Sequence, residues 1–516
     1  MSSNDKVVIG LDLGTTSTKA VAFTTAGEQV ATASHGYPLD TPHPGHAVQD
    51  PQAILAAAVS AVRDVVAELG AERVAGISFS SAMHSLLGLD AEFAPVTSVI
   101  TWGDTRARSQ AEQLRQTTGA LELHRRTGTP IHPMSPLVKL MWFRDVEPKI
   151  HEGVAFWVGI KDFVLLHLTG ALVVDHSLAS GSGLMDIHRL AWDDEALQLA
   201  GVTPEQLPEL VRTRHVLDGL TVVAAAATGL PRSTPVVAGA GDGPLANLGV
   251  GAVEPGVAAC SIGTSGALRV AVERPAVDPQ GGVFCYALTE DRWIVGGAIN
   301  NGGATLDWVR EQVAPELGED SAPELLALAA RAQPGSGGLI MLPYLLSERA
   351  PHWSALPTGA YIGLTRGHSR EHMIRAAVEG VCLQLAVVLQ SMRAEGLDVR
   401  HVRATGGVTK SDLWRDVLAA ALGMPIEFAE GQEGSGYGAA ILGMDALGLI
   451  DSIDVVADQI PVDETVRPDP RTSAVYAQLQ PTFAQLYHAL VPTFQTLRRM
   501  GPSLPIELTD GAAPAA

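Results

Sequence analysis

Residues 7–23 read VVIGLDLGTTSTKAVAF, and residues 257–272 read VAACSIGTSGALRVAV. Each is an apolar, β-rich run, a Gly-Thr turn with a small hydroxyl residue, and a second apolar run. That is the pattern of a hairpin, with strands expected at 7–13 and 19–24 in the first copy. Asp12 precedes the first turn where Ser261 precedes the second. Such a turn exposes successive backbone N–H groups and hydroxyls on one side, a nest for anions and for phosphate above all. Glycine lets the backbone come close to the anion. Two such turns facing each other across a cleft would grip one triphosphate from both sides. An acid beside only one of them would hold one Mg²⁺, which takes one or two carboxylates and fills its other positions with water and phosphate. A glycine hairpin is also a common connector with no further role; its repetition favours function. No GxxxxGK[ST] is present, so the chain is not a P-loop protein.

The chain has 516 residues, more than one hydrophobic core accommodates, so two to three domains are expected. An α/β class follows from the alternation of elements. Helices are expected at 52–69, 371–393, 411–422 and 436–447. Strands are expected at 74–79, 235–240, 292–299 and 401–406. The pattern restarts after residue 250, which divides the chain into 1–248, 249–497 and a tail at 498–516. The net charge of −21 argues against a nucleic-acid partner, because a phosphate backbone demands a basic face. Cys260, Cys285 and Cys382 are widely spaced, which fits a reducing cytoplasm better than a disulfide or zinc framework. No membrane span and no signal peptide are expected. A homodimer stays open.

The stretch Gly241-Asp242-Gly243 follows a buried apolar run. An Asp flanked by glycines is either a turn former or a carboxylate presented into a cleft. At the junction of two phosphate-gripping halves, Asp242 becomes a candidate general base. Phosphoryl transfer needs positioning, charge neutralisation and one group to take the acceptor hydroxyl's proton.

Two longer stretches make a family resemblance specific. Gly359-Ala-Tyr-Ile-Gly-Leu364 followed by His372-Met-Ile-Arg-Ala-Ala-Val-Glu379, and Met134-Ser-Pro-Leu-Val-Lys-Leu-Met-Trp142, resemble the two signatures of the FGGY carbohydrate kinases. The resemblance runs from about residue 7 to about residue 495. It implies two actin-like (ribonuclease-H-like) domains around a cleft for ATP and a sugar, with Mg²⁺. By the same resemblance Asp12 matches the metal-linked acid, and Gly14, Thr15, Thr16, Ser17 and Lys19 the first phosphate loop. Gly263, Thr264 and Ser265 match the second loop. Gly303 and Asp307 match positions near the nucleotide's phosphates and ribose, and Gly406 and Gly407 its binding segment. Asp242 matches the catalytic base, with a water-mediated share of the metal.

The acceptor segments include Met83-His84, where glycerol-phosphorylating members have Arg-Glu; xylulose-phosphorylating members share Met-His. Trp102 and Asp104 resemble a sugar-contact segment, an aromatic face with an acceptor for hydroxyl protons. Thr127–Pro136, with His132 and Met134, and Gly241–Gly249 are similar to the gluconate-phosphorylating members. Gly243 stands where glycerol kinases have Gln and leaves room for a longer acceptor. The expected reaction is ATP-dependent phosphorylation of D-gluconate to 6-phospho-D-gluconate. Xylulose or another sugar of the family is the alternative, and a chaperone-like ATPase or a silent sugar-binding regulator a more distant one. A gluconate carboxylate would want a cation or several donors, for which His84, His132 and Lys139 are the candidates. His132 and Lys139 also read as structural groups, Met83 and Met134 as core filling, and Glu348–Arg349 as an internal salt bridge.

Overall fold

The structure, a computed structural model, describes residues 6–318, 320–428 and 434–500, with side chains for all of these but 408 and 409. The first half is built on a mixed sheet of Val7–Leu13 (β1), Ser17–Thr24 (β2), Gln29–Gly36 (β3), Val74–Ser81 (β4), Val216–Leu217 (β5) and Val236–Gly241 (β6), in the order β5-β6-β4-β1-β2-β3. β1, β2 and β3 are antiparallel neighbours, whereas β1, β4 and β6 run parallel.

The second half repeats this plan. Val257–Ile262 (β7), Gly266–Val272 (β8), Phe284–Ala287 (β9), Trp293–Ile299 (β10), His401–Gly406 (β11), Ile426–Phe428 (β12) and Glu464–Val466 (β13) lie in the order β9-β10-β8-β7-β11-β12-β13. β10-β8-β7 are antiparallel, β7, β11 and β12 parallel, and β13 closes the far edge antiparallel, as β5 does in the first sheet. Among the described residues only β9 has no counterpart. The hairpin echo in the sequence is therefore the visible part of a six-strand duplication, and Asp12 and Ser261 occupy the same position, one residue before the end of β1 and of β7.

Local chemistry explains the covering helices. Pro51–Leu69 (α1) starts where Asp50 accepts the Gln52 amide at 2.9 Å, with Pro51 at its first position, and stops at Gly70, whose φ is 86°. It lies against β1, β2 and β3. Pro136–Val146 (α2) is capped by Ser135 in the same way. Asp242–Gly249 (α3) follows β6 directly, so Gly241-Asp242-Gly243 is not a free turn: Gly241 is the cap and Asp242 the first helical residue. Gly303–Val313 (α4), Ala322–Ala329 (α5), Arg370–Ala394 (α6), Asp412–Leu422 (α7), Gly434–Ala446 (α8) and Pro470–Met500 (α9) belong to the second half in sequence.

The halves meet through helices. α8 packs on β1, β2 and β4 of the first sheet, and α3 reaches β7, β8 and β10 of the second. α3 and α8 cross with their backbones nearly touching. A β-carbon on Gly249 would sit 1.6 Å from the Gly434 carbonyl oxygen, so only glycine fits there. β1 is buried almost throughout because it is covered on both faces, by α1 and α8, which is why it reads as a continuous apolar run. Two duplicated sheets joined by crossed helices form the actin-like arrangement expected.

α6 is long and apolar enough to cross a membrane by length and composition, yet most of it is buried inside the molecule. It carries an internal ion pair, Arg375 to Glu379 at 2.8 Å. Glu379 also accepts from Ser336 Oγ and from the Tyr476 hydroxyl, each at 2.8 Å. The charged residues of this signature therefore fasten α6 into the core rather than reach the cleft. α9 continues to Met500, so the first residues of the expected tail are helical, and Arg498 pairs with Glu112 of the first half. Residues 501–516 lie outside the described residues.

Candidate active site

One cavity opens between the halves and a second lies beside it in the second half, with the second Gly-Thr turn standing between the two. The smaller, of about 320 Å³, is lined from the first half by Thr15, Met83, His84, Trp102, Met134, Asp242 and Gly243. From the second half it takes Ser261, Ser265, Arg269, Tyr286, Arg349 and Trp353. The larger, of about 640 Å³, lies wholly in the second half, with Gly263, Thr264, Gly303, Asp307 and Gly407 on its wall. Residues 263 and 264 thus face one cavity and residue 265 the other.

The turn is held by the start of α4. The amide of Gly303 donates to the Gly263 carbonyl at 2.7 Å, and those of Gly302 and Ala304 to the Thr264 carbonyl at 3.1 and 3.2 Å. A β-carbon on Gly302 would lie 2.6 Å from the Ser265 carbonyl oxygen, so glycine is required for this approach. The first turn is held differently. Tyr37 donates its hydroxyl to the Gly14 carbonyl at 2.6 Å, Gln49 Nε2 to the Thr15 carbonyl at 2.6 Å, and Trp102 Nε1 to Thr15 Oγ1 at 2.9 Å. The carbonyls are used, while the amides of Thr15 and Thr16 have no protein acceptor among the described residues. That polarity suits an anion. Thr15 reaches the smaller cavity; Gly14, Thr16, Ser17 and Lys19 form the turn and strand beside it, with Lys19 opposite Asp12 in register.

Asp242 is held at the mouth of α3 with Oδ1 accepting the Gly243 amide at 2.7 Å. Burial pushes its carboxyl up to about 6, and the negative charge of Asp12 adds to this; Arg269, the Gly243 amide and Arg349 act against it. Two carboxylates close enough to repel suit a divalent cation. Among the described residues no three His, Cys, Asp or Glu side chains gather into a metal cage. The donor set fits Mg²⁺, which needs few protein ligands when phosphate and water complete its shell. Asp12 also accepts Ser435 Oγ from α8 at 3.0 Å, a link between the halves.

The acceptor side departs from expectation in several places. Asp104 does not line the cavity. It is buried, and its oxygens take the Ala47 amide at 2.8 Å and Arg106 Nε and Nη2 at 2.9 and 2.8 Å. Lys139 is fully buried, and its ammonium donates to the carbonyls of His84, Ile100 and Thr101. Burial pulls it down to about 7. Lys139 therefore pins the Met83-His84 turn and the Trp102 strand end together, and is not available to a ligand. His84 sits in the turn at φ 66° with Nδ1 2.7 Å from the Gly181 carbonyl oxygen. Burial drives its pKa down to about 3, so the ring is neutral, Nδ1 is the donor, and Nε2 is left as an acceptor. His132 stands behind the wall, its Nδ1 accepting the Met134 amide at 3.2 Å and its ring 6.4 Å from that of Trp353. Burial and nearby arginines hold it well below the usual histidine range.

Glu348 and Arg349 do not form the expected salt bridge. Glu348 is buried and accepts the amides of Asn300 at 2.7 Å and Arg349 at 2.8 Å and Asn301 Nδ2 at 3.1 Å; burial pushes it up to about 7. The Arg349 guanidinium turns instead to the cavity and lies over the Trp102 ring, 5.3 Å from its centroid. Arg269 and Arg349 are the cationic residues of this cavity, and sequence reasoning assigned neither to it. Tyr286, Trp353 and Ser435 were also missed. In the larger cavity the apolar wall of Leu306, Pro323, Leu326, Ala327 and Trp414 was missed; it offers flat room for an aromatic base.

The model of the FGGY family of carbohydrate kinases, N-terminal domain, matches residues 7–249, and that of the C-terminal domain matches residues 258–447. A gluconokinase from Bacillus licheniformis is 42% identical over 492 residues, covering 94% of this chain and 96% of its own. The crystal structure of a ligand-bound xylulose kinase from Lactobacillus acidophilus superposes with a TM-score of 0.91 at 34% identity, covering 95% of this chain and 100% of the other. A gluconate kinase from Lactobacillus acidophilus superposes with the same TM-score and identity, covering 95% and 99%. With both halves matched and both cavities in place, the chain belongs to the FGGY family of carbohydrate kinases.

Proposed function

We propose that the chain transfers the γ-phosphoryl group of ATP to the terminal hydroxyl of D-gluconate, forming 6-phospho-D-gluconate. The observation that carries the transfer is the second Gly-Thr turn, which separates a cavity walled for a nucleotide from one that contains Asp242. In this reading residues 1–248 supply the base, the first phosphate loop and one wall of the acceptor site, and residues 249–497 supply the nucleotide site and the acceptor site's other wall. The base of ATP lies against Leu306, Leu326 and Trp414. Its phosphates run past Gly263 and Thr264 toward Ser265, and the free amides of the first turn meet them from the opposite side.

Asp242 accepts the proton of the acceptor's terminal hydroxyl. The hydroxyl oxygen bonds to the γ-phosphorus as the bond to the β,γ-bridging oxygen breaks, and ADP leaves. A carboxyl poised near 6 is ionised at neutral pH yet basic enough to take that proton. Mg²⁺, held by Asp12 and through water by Asp242, would neutralise charge developing on the phosphate oxygens. His84 Nε2 accepts a hydroxyl of the acceptor, and Trp102 covers its C–H face.

Gluconate is supported by the 42% identity to a gluconokinase across nearly the whole chain. D-xylulose is the second reading, supported by Met83-His84 and by the equal likeness to a xylulose kinase structure. ADP release by the purified chain with ATP and Mg²⁺, across D-gluconate, D-xylulose, L-ribulose, glycerol and no sugar, separates the two. Gluconate-dominated release supports the proposal. A xylulose preference overturns the substrate and keeps the chemistry. Sugar-independent release that persists in Asp242→Asn overturns both.

A further inference from the structure

The acceptor cavity is lined by two arginines, Arg269 and Arg349, which have different neighbours. Arg269 projects from β8 beside the base: its Nε lies 3.9 Å from the place a β-carbon on Gly243 would take. Its positive charge acts on Asp242 more strongly than that of Arg349 does. Arg349 lies over Trp102, and its charge acts on His84 and, ahead of the other charges there, on His132. An acceptor whose terminal hydroxyl meets Asp242 and whose chain runs along Trp102 would bring its far end to Arg349.

Arg349 is fixed but not saturated. Nε donates to Asn300 Oδ1 at 2.7 Å and Nη2 to the Ile299 carbonyl at 3.2 Å. Nη1 has no protein acceptor among the described residues. Two bonds thus set the plane of the guanidinium, and one edge is left to the cavity, which suits recognition of a planar anion. Tyr286 is a second donor. Its ring lines the same cavity, 5.7 Å from that of His84, and its hydroxyl is buried with no hydrogen-bond partner among the described residues. A buried polar atom without a partner is costly, and a ligand oxygen would remove the cost. The three cationic candidates read from the sequence do not compete: Lys139 is spent on three carbonyls, His84 is neutral, and His132 stands behind the wall.

We propose that Arg349, with the Tyr286 hydroxyl beside it, binds the carboxylate of the acceptor and so makes this cavity select a sugar acid over a neutral sugar. The assignment rests on the gluconate reading above and deepens it. Both donors come from the second half, whereas Asp242 comes from the first, so an acceptor held at both ends spans the cleft. Arg115 of the first half donates to the Trp353 carbonyl, so the Tyr344–Trp353 segment that carries Arg349 is itself tied across the same cleft.

The test compares D-gluconate with D-gluconamide, which has the same length and hydroxyls but no charge, in steady-state kinetics with Mg²⁺ and ATP. The unaltered chain should prefer gluconate in kcat/KM by about 100-fold, the order expected for a hydrogen-bonded charge pair shielded from water. Arg349→Met should cut the preference to within about threefold, with the loss mainly in KM. Arg349→Lys should keep part of the preference and shows that the fold survives a change at this position. Tyr286→Phe should lower the preference by a smaller factor. Calorimetric titration of gluconate without nucleotide should show the same ranking. Gluconate turnover by the unaltered chain with an unchanged preference in Arg349→Met overturns the carboxylate assignment alone. No gluconate turnover by the unaltered chain overturns the gluconate reading and the assignment with it.

Discussion

The two Gly-Thr turns share a position in duplicated sheets and differ in almost everything around them. The first is braced from its carbonyl side by Tyr37, Gln49 and Trp102, and has Asp12 at its root. The second rests on the glycine-rich start of α4 and has Ser261 at its root. Each therefore presents amides outward, but only the first carries charge. A triphosphate held between two such turns needs donors from both sides and a metal-linked carboxylate from one. A second acid at Ser261 would place another negative charge in the cavity that already contains Asp242, whose carboxyl burial and then the charge of Asp12 push up to about 6. Duplication accounts for the frame, and the asymmetry for the proposed chemistry.

Substitutions that remove or invert this asymmetry should have graded effects. Asp242→Asn keeps the shape and removes the proposed proton acceptor, so kcat should fall by about 10²–10⁴-fold with little change in KM, checked by steady-state kinetics. Asp12→Ser makes the first turn like the second. It should lower kcat by about 10²–10³-fold and raise the Mg²⁺ concentration for half-maximal rate, checked by metal titration. The pH profile follows from Asp242: only the ionised form accepts a proton, so kcat/KM should fall as pH drops through about 6, by about tenfold per unit below it. Ser261→Asp makes the second turn like the first, and should cost about tenfold in kcat/KM through repulsion with the existing acids and the phosphates.

The smallest effect is on stability. Asp242 has a folded-state pKa raised to about 6 from its ordinary value of 3.8. Between those values the folded chain binds the proton more readily than the unfolded chain. Its carboxyl therefore favours folding at low pH and becomes a penalty as pH rises through about 6. Asp242→Asn should raise the melting temperature by a few degrees at pH 8 and leave it nearly unchanged at pH 4, measured by calorimetry. A lower melting temperature at pH 8 would contradict the burial argument.

Much of the frame was legible in the sequence because hairpins and buried parallel strands leave local marks. β1, β2, β7 and β8 show as paired apolar runs around Gly-Thr, and α6 as a long apolar helix. Gly241-Asp242-Gly243 was readable as a carboxylate after a buried strand but not as a helix start, since two glycines mask helical preference. The acceptor wall was less legible because residue type does not say where a side chain is spent. Asp104 and Lys139 are of the right chemistry and in the right segments, yet one is used by Arg106 and the other by three carbonyls. Arg269 is a single cation in the strand GALRVAV, paired in register with Ala259, and only the meeting of the two halves turns it toward Asp242. Arg349 lies in Tyr344–Trp353, a segment whose likeness to the family was visible but whose part in the cavity depends on the contact with Trp102. Contacts between distant segments leave no local period to read.

The most direct test of the account is the identity of the product. The unaltered chain and Asp242→Asn would each be incubated with ATP, Mg²⁺ and an equal mixture of D-gluconate and D-xylulose, and the products resolved by phosphorus NMR and mass spectrometry. 6-Phospho-D-gluconate should be the dominant product of the unaltered chain, with almost none from the variant over the same time. Inorganic phosphate without a sugar phosphate, phosphoxylulose in excess, or equal gluconate phosphorylation by the variant would contradict it.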